Sequence, residues 1–184
     1  MRKLAVVGCL SLFVFATLMY AQQQDKSKRP SPPATATMKW TDGKTITVDY
    51  SQPKIKDPKT GEVRKIFGTL VPFDKVWRTG ANEATSFVTD ADLMVGDIHV
   101  PAGKYTMYSI PGEKEWTIII NKQTGQWGTN YDEKQDLGRT KVKAGKTSST
   151  VQQFTISFDK PNGKKTNMNL EWENTKVSVP VMEH

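Results

Sequence analysis

The chain has 184 residues, with 26 Lys and Arg against 19 Asp and Glu, a formal charge of +7 and 36% hydrophobic residues. That length carries one domain, or two very small ones, and can bury a genuine core. A single Cys and two His exclude a thiolate zinc site, an iron–sulfur cluster and a disulfide framework, and leave a Ser-His-Asp triad only His99 or His184 to draw on.

Arg2 and Lys3 form a short positive head, and Leu4 to Tyr20 is apolar apart from Gly8, Ser11 and Thr17. Ala21 then leads into the polar run Gln22-Gln23-Gln24-Asp25. This is the layout of a secretory signal peptide over 1–21, cleaved near Ala21. An uncleaved anchor is the competing reading of the same apolar run. Val7-Gly8-Cys9 imitates the end of a lipoprotein box, but the apolar lead-in before Cys9 is too short. Cleavage removes Arg2, Lys3 and Cys9, which lowers the charge by two and leaves a thiol-free chain suited to an oxidising compartment.

From Gln22 to Thr37 the composition turns to Gln, Lys, Ser, Pro, Ala and Thr, with Pro30, Pro32 and Pro33 close together. Such a stretch predicts a flexible or polyproline-like tether over 22–37, with a single folded domain over 38–184. The remaining bases are dispersed among acids, as in Lys54, Lys56, Lys59, Arg64 and Lys65, so they read as solvated surface and not as a nucleic-acid interface.

The domain alternates with the period of strands. In Lys44 to Tyr50, Ile46, Val48 and Tyr50 fall on one face. After a Pro-rich loop, short strands are predicted at Thr85–Thr89, Leu93–Val95, Ile98–Val100 and Lys104–Ile110. Tyr105 is a candidate corner tyrosine bonding to backbone. Trp116 to Asn121 carries Ile118, Ile119 and Ile120, a run that suggests burial on both faces. Val151–Phe158, Met168–Trp172 and Val177–Val181 follow, the first two joined by the hairpin signal Lys160-Pro161-Asn162-Gly163. Trp116, Ile118, Ile120, Phe154, Ile156, Phe158 and Trp172 are expected to share one interior. About eight to ten short strands without a helix predict an all-β domain, an antiparallel β-sandwich or barrel-like sandwich.

Three local patterns imitate chemical motifs and fail on position. Ala144-Gly145-Lys146-Thr147 lacks the first Gly of a phosphate loop, since position 140 is Thr. Asp90-Ala91-Asp92 has Met94 where a calcium loop needs its third ligand. Asp132, Glu133 and Asp136 match no metal cage in their spacing, so no metal and no cofactor is expected.

Two segments hold candidate site residues. Val76 to Thr85 places small residues, Gly80 and Ala81, between Arg78 on one side and Asn82 and Glu83 on the other. A guanidinium fork, an amide and a carboxylate around a tight turn can read a polar ligand, with Trp77 as a wall. They can equally form an internal network in which Arg78 pairs with Glu83 and Asn82 satisfies loop backbone. Gln126 to Tyr131 places Trp127 and Tyr131 in a Gly-containing loop, where they can stack on a ligand or plug the end of the fold.

The ordered segments Lys65-Ile66-Phe67-Gly68-Thr69-Leu70-Val71-Pro72, Val76 to Thr85, Pro101-Ala102-Gly103-Lys104-Tyr105, Ile110 to Ile119 and Gln126-Trp127-Gly128 resemble the bacterial exported family known as domain of unknown function 2911. The resemblance implies an exported, mostly β domain and lends no activity. Members often continue Gly-Ala-Phe-x-Tyr where this chain reads Gly128-Thr129-Asn130-Tyr131.

Two functional readings stand at this level. One is a non-catalytic ligand-binding or envelope-structural module, its ligand-binding candidates being Arg78, Asn82, Glu83, Trp127 and Tyr131 and its ligand a polar small molecule or glycan. The other is a hydrolase using Glu83 with Asp132 or Asp136 on a polysaccharide or similar substrate. No catalytic residue is assigned, and neither nucleic acid nor stable membrane insertion after cleavage is expected. The location expected is extracytoplasmic, periplasmic or secreted. N-terminal sequencing of the exported protein should begin near Gln22; an intact Met1 in the membrane fraction would overturn the cleavage.

Overall fold

The computed structural model describes residues 26–184. The expected signal peptide and the first residues of the tether lie outside them. Nine strands run in chain order as β1 Pro33–Lys39, β2 Thr45–Ser51, β3 Thr85–Thr89, β4 Leu93–Val95, β5 Ile98–Val100, β6 Gly103–Ile110, β7 Glu115–Asn121, β8 Asp136–Phe158 and β9 Lys165–Glu183. They form one antiparallel sheet in the order β1-β2-β3-β6-β7-β8-β9-β4-β5, not closed into a barrel. The all-β expectation therefore stands, with nine strands in it.

Strand β8 makes the architecture. Its first part pairs with β7, from Asp136↔Asn121 to Lys143↔Glu115, and its second part pairs with β9, from Ala144↔Val177 to Phe158↔Met168. Register shifts between Lys146 and Thr155 break the ladder midway, the usual device by which a long strand bends. The two halves of the sheet then face each other. Ile156 N on β8 donates to Tyr50 Oη on β2 at 2.9 Å, and the Tyr50 ring meets Phe154 edge-on at 5.7 Å.

Between the halves lies the core. Ile46, Val48, Phe87, Met107, Ile118, Ile120, Phe154, Leu170, Val177 and Val179 are all essentially without solvent contact. Trp116, Ile156 and Trp172 join them as expected, and Phe158 is half-buried at the margin. Ile119 is buried on the opposite face, where Tyr108 is its cross-strand neighbour and Tyr131 packs on Tyr108 at 4.9 Å. The Ile118–Ile120 run is thus buried on both faces because the connection 122–135 covers the outer one. Tyr105 Oη donates to Pro101 O at 3.0 Å, which makes it the corner tyrosine anticipated. Asn162 and Lys165 exchange backbone hydrogen bonds at 2.8 and 3.1 Å across the hairpin turn.

Two boundaries differ from the sequence reading. The domain does not start at 38: β1 begins at Pro33, inside the supposed tether, and pairs with β2 from Pro33↔Ser51 to Lys39↔Thr45. Ala34, Ala36 and Met38 alternate inward there, a strand period hidden by small and Pro-rich composition. The late strands are also not short. The separate segments expected after 151 belong to two long strands, and 136–150 is strand although its exposed Lys, Thr and Ser carry little apolar signal.

Phe154 and Ile118 contact no solvent. Truncating either to Ala should cost about 2–5 kcal/mol in denaturant unfolding, through lost transfer energy and a residual cavity. A cost within ~0.5 kcal/mol would contradict this core.

Candidate functional site

The connection 52–84 between β2 and β3 has no regular strand, only isolated bridges. Connections this long without secondary structure in a compact domain are uncommon, and are usually either functional or disordered linkers. This one is tied down at both ends. Ile55 N donates to Gln152 O and Phe154 N to Pro53 O, both at 2.9 Å, while Trp77 exchanges backbone hydrogen bonds with Ser109 on β6 at 2.7 and 2.9 Å. Ile55, Ile66, Phe67 and Val71 are buried beneath it.

Trp77 is the central anchor. Its ring stacks on Trp172 at 6.0 Å and meets Phe154, Trp116 and Phe67 edge-on at 5.0, 6.0 and 6.1 Å. Trp77 Nε1 donates to Gly80 O at 3.1 Å, closing the turn that follows. Within that turn Thr79 and Asn82 hold positive φ, 52° and 61°. Asn tolerates this region, whereas a β-branched Thr is strained by about 1–3 kcal/mol. The surroundings hold Thr79 in place: its Oγ1 donates to Ser109 Oγ at 2.9 Å, and Thr85 Oγ1 donates to its carbonyl at 2.8 Å.

Arg78 does not pair with Glu83 as anticipated. Its Nη1 donates to Asn82 O at 3.1 Å, and no carboxylate lies within ion-pair distance of it among the described residues. Glu83 is taken by the segment before β1. Arg29 Nη1 donates to both its oxygens at 2.9 and 3.0 Å, and Lys26 Nζ stands 3.2 Å away. The correction has a physical origin, because a left-handed residue lies between the two side chains and two cations arrive from a segment expected to be a free tether. Asn82 does satisfy backbone, donating from Nδ2 to Ser31 O at 3.1 Å and also to Ser51 Oγ at 3.2 Å.

The second cluster comes to the same place. Gly128 N donates to Asn82 O at 3.1 Å, and Glu83 bridges to Trp127. A Cβ on Gly128 would collide with the Arg78 side chain and lie 2.8 Å from Asn82 O, so only Gly permits this approach. Trp127 itself stays 47% exposed. Tyr131 turns to a polar group: its hydroxyl donates to Asp136 Oδ2 at 2.7 Å and accepts from Arg139 Nη2 at 2.8 Å. Burial and then the Asp136 carboxylate push its ionisation above the ordinary tyrosine range.

Two cavities flank Arg78. The larger, 670 Å³, runs from Pro30 and Ser31 past Pro53, Lys54 and Lys56 to the Arg78–Asn82 turn, with Trp77 and Trp172 at its inner side. The smaller, 450 Å³, lies between Lys75, Val76 and Arg78 on one side and Gly128 to Tyr131 on the other. Leu70, Val71 and Trp77 line both. Arg78, Asn82 and Tyr131 line these cavities. Glu83 and Trp127 do not. Lys54, Lys56, Leu70 and Trp172 were missed; the length and buried apolar content of 52–84 were the available signal, whereas nothing local marks Trp172.

The carboxylates considered for catalysis are all engaged. Asp136 accepts from Tyr131, Arg139 and Asn121 at 2.7, 2.8 and 2.8 Å. Asp132 accepts from Lys134 N at 3.0 Å as a cap of the turn Glu133–Gln135. For Glu83, burial acts to raise the pKa, but its own backbone N–H, Arg29 and Lys26 outweigh it and leave the value lowered.

Fold and site together define an all-β domain with a cation-bordered cleft built on a long inter-strand connection. A family model for a protein of unknown function (DUF2911) matches residues 31–181, and the chain belongs to that family. No curated protein and no solved structure matches the chain.

A lowered carboxylate pKa adds stability that is present above the unfolded value, near 4.3, and lost as pH falls through the folded one. Glu83→Gln should therefore be less stable than the parent at pH 7, by about 0.2–1 kcal/mol for so exposed a pair. The gap should close below about pH 4 in acid-unfolding curves. A gap that persists unchanged at pH 3 would contradict the ion-pair assignment.

Proposed function

We propose that this protein is a non-catalytic, extracytoplasmic binding module that receives an anion at Arg78. One observation carries the reading: Arg78 is a half-buried cation with no carboxylate partner among the described residues, set where two cavities meet. A half-buried guanidinium left without a counter-charge is costly unless hydrogen bonds or an anion compensate it. Its one hydrogen bond to Asn82 O leaves most of its five donors for a ligand.

The strained turn around Thr79 supports the reading, because backbone strain concentrates at ligand clamps. So does the state of the acids. A glycosidase needs one carboxyl held protonated and a second free to attack or to activate water. Glu83 has a lowered pKa, and Asp132 and Asp136 are filled by cap and ion-pair partners. Binding thus accounts for these residues with fewer demands than hydrolysis.

Arg78→Ala removes one protein hydrogen bond, so its unfolding free energy should fall by only about 0.5–1.5 kcal/mol. Titration calorimetry with phosphate, acetate and glucuronate should show binding of at least one anion to the parent and none to the variant. A loss of about 3–5 kcal/mol with no anion bound to the parent would mean that Arg78 serves the fold alone.

A further inference from the structure

The larger cleft says more about its ligand than the sign of one charge. Its cations Lys54, Lys56, Arg64 and Arg78 outnumber a single acid, Asp57. Asp57 is already committed, accepting from Lys59 N and Thr60 N at 2.8 and 3.1 Å and facing Arg64 Nη1 at 3.4 Å. Lys54, Lys56 and Arg78 have no ion-pair partner among the described residues.

Between these cations the walls are aliphatic. Pro30, Pro53, Pro58, Leu70 and Val71 line the cleft, and Leu70 is among the few large apolar side chains left exposed. Of the aromatic side chains that line it, Trp172 offers no face for stacking and half-buried Trp77 offers only part of one. Trp172 is 1% exposed and Trp77 is enclosed by four other rings. A small inorganic anion would leave such walls wet. At the inner side, Trp172 Nε1 is buried without an acceptor among the described residues. A buried indole N–H normally has a partner, and here, as at Trp40 Nε1, it has none among the described residues.

We propose that the ligand is an aliphatic-chain carboxylate, its chain lying along the Leu70–Val71 wall and its head between Arg78 and the Lys54–Lys56 border. This deepens the binding role assigned to Arg78 and rests on it. A cavity of 670 Å³ is within the range that encloses a molecule of this size. Pro30 and Ser31 form part of the wall, so the segment pinned by Glu83 through Arg29 and Lys26 completes the cleft. The walls supply affinity and the cations supply orientation.

The test is calorimetry on the chain from Gln22 to His184 with octanoate, acetate, 1-octanol, octyltrimethylammonium and 3-phenylpropanoate. Each buried methylene should tighten binding roughly fourfold, so octanoate should bind about 100-fold or more tighter than acetate. It should also exceed 1-octanol and 3-phenylpropanoate, and octyltrimethylammonium should not bind. Arg78→Ala should weaken octanoate about tenfold or more, as loss of a charge-assisted contact does. Leu70→Ser, at an exposed position that folding tolerates, should weaken octanoate and leave acetate unchanged. Acetate equal to octanoate, both lost in Arg78→Ala, would overturn the aliphatic ligand and keep the anion site. Equal binding of 3-phenylpropanoate would overturn the aliphatic chain in the same way. Equal binding of 1-octanol, or no binding of any probe, would overturn both.

Discussion

The insertion of Trp77 among Phe67, Trp116, Phe154 and Trp172 is the interaction on which the rest of this molecule depends. Three ring contacts at 5.0–6.0 Å, to Trp116, Phe154 and Trp172, draw the connection 52–84 onto the sandwich, and a fourth to Phe67 at 6.1 Å ties it to itself. Two backbone hydrogen bonds to Ser109 fix its register against β6. Aromatic pairs of this kind contribute beyond their buried area, by about 0.5–1.5 kcal/mol each in favourable geometry. Without that anchor, a segment lacking regular strands could not be held in one conformation against its chain entropy. With it, the turn immediately after Trp77 can carry Thr79 and Asn82 in left-handed backbone.

The polar features follow from that placement. Asn82 O collects Arg78 Nη1 and Gly128 N, which joins the connection to the loop 122–135, and Arg78 lines both cavities. Asn82 Nδ2 reaches back to Ser31 and Ser51, and Glu83 takes the two cations that precede β1. Three distant pieces of sequence thus meet at one turn. The N-terminal segment is part of the site's wall, and the charge that could have neutralised Arg78 is spent holding that segment.

Much of the fold was legible because β2 to β5 alternate, β7 is a continuous apolar run, and Pro and Gly turns separate the strands. Tyr105 and the Asn162-Gly163 turn were readable for the same local reason. The failures were of two physical kinds. In β1 and the first part of β8 most strand residues are small or polar, so the few inward apolar positions, Ala36 and Met38 in β1 and Leu137 and Val142 in β8, give only a weak alternation signal. At the site, Arg78, Asn82 and Tyr131 were legible as polar or aromatic groups beside glycines. The long-range surroundings were not, since Arg29 reaches Glu83 across 54 positions and Trp172 reaches the cleft only through the packing of β9. Local spacing suggested Arg78 with Glu83; tertiary structure supplied a closer cation.

An aliphatic carboxylate held in the cleft would sit beside Arg78 and Trp172. The most direct measurement is nitrogen-15 NMR of the arginine Nε–H and tryptophan Nε1–H resonances while octanoate is added. Saturable shifts at Arg78 and Trp172 with one common midpoint are expected, and little change at Trp127, which lines neither cavity. Shifts confined to Trp127, or none at Arg78 when octanoate is saturating, would contradict that placement.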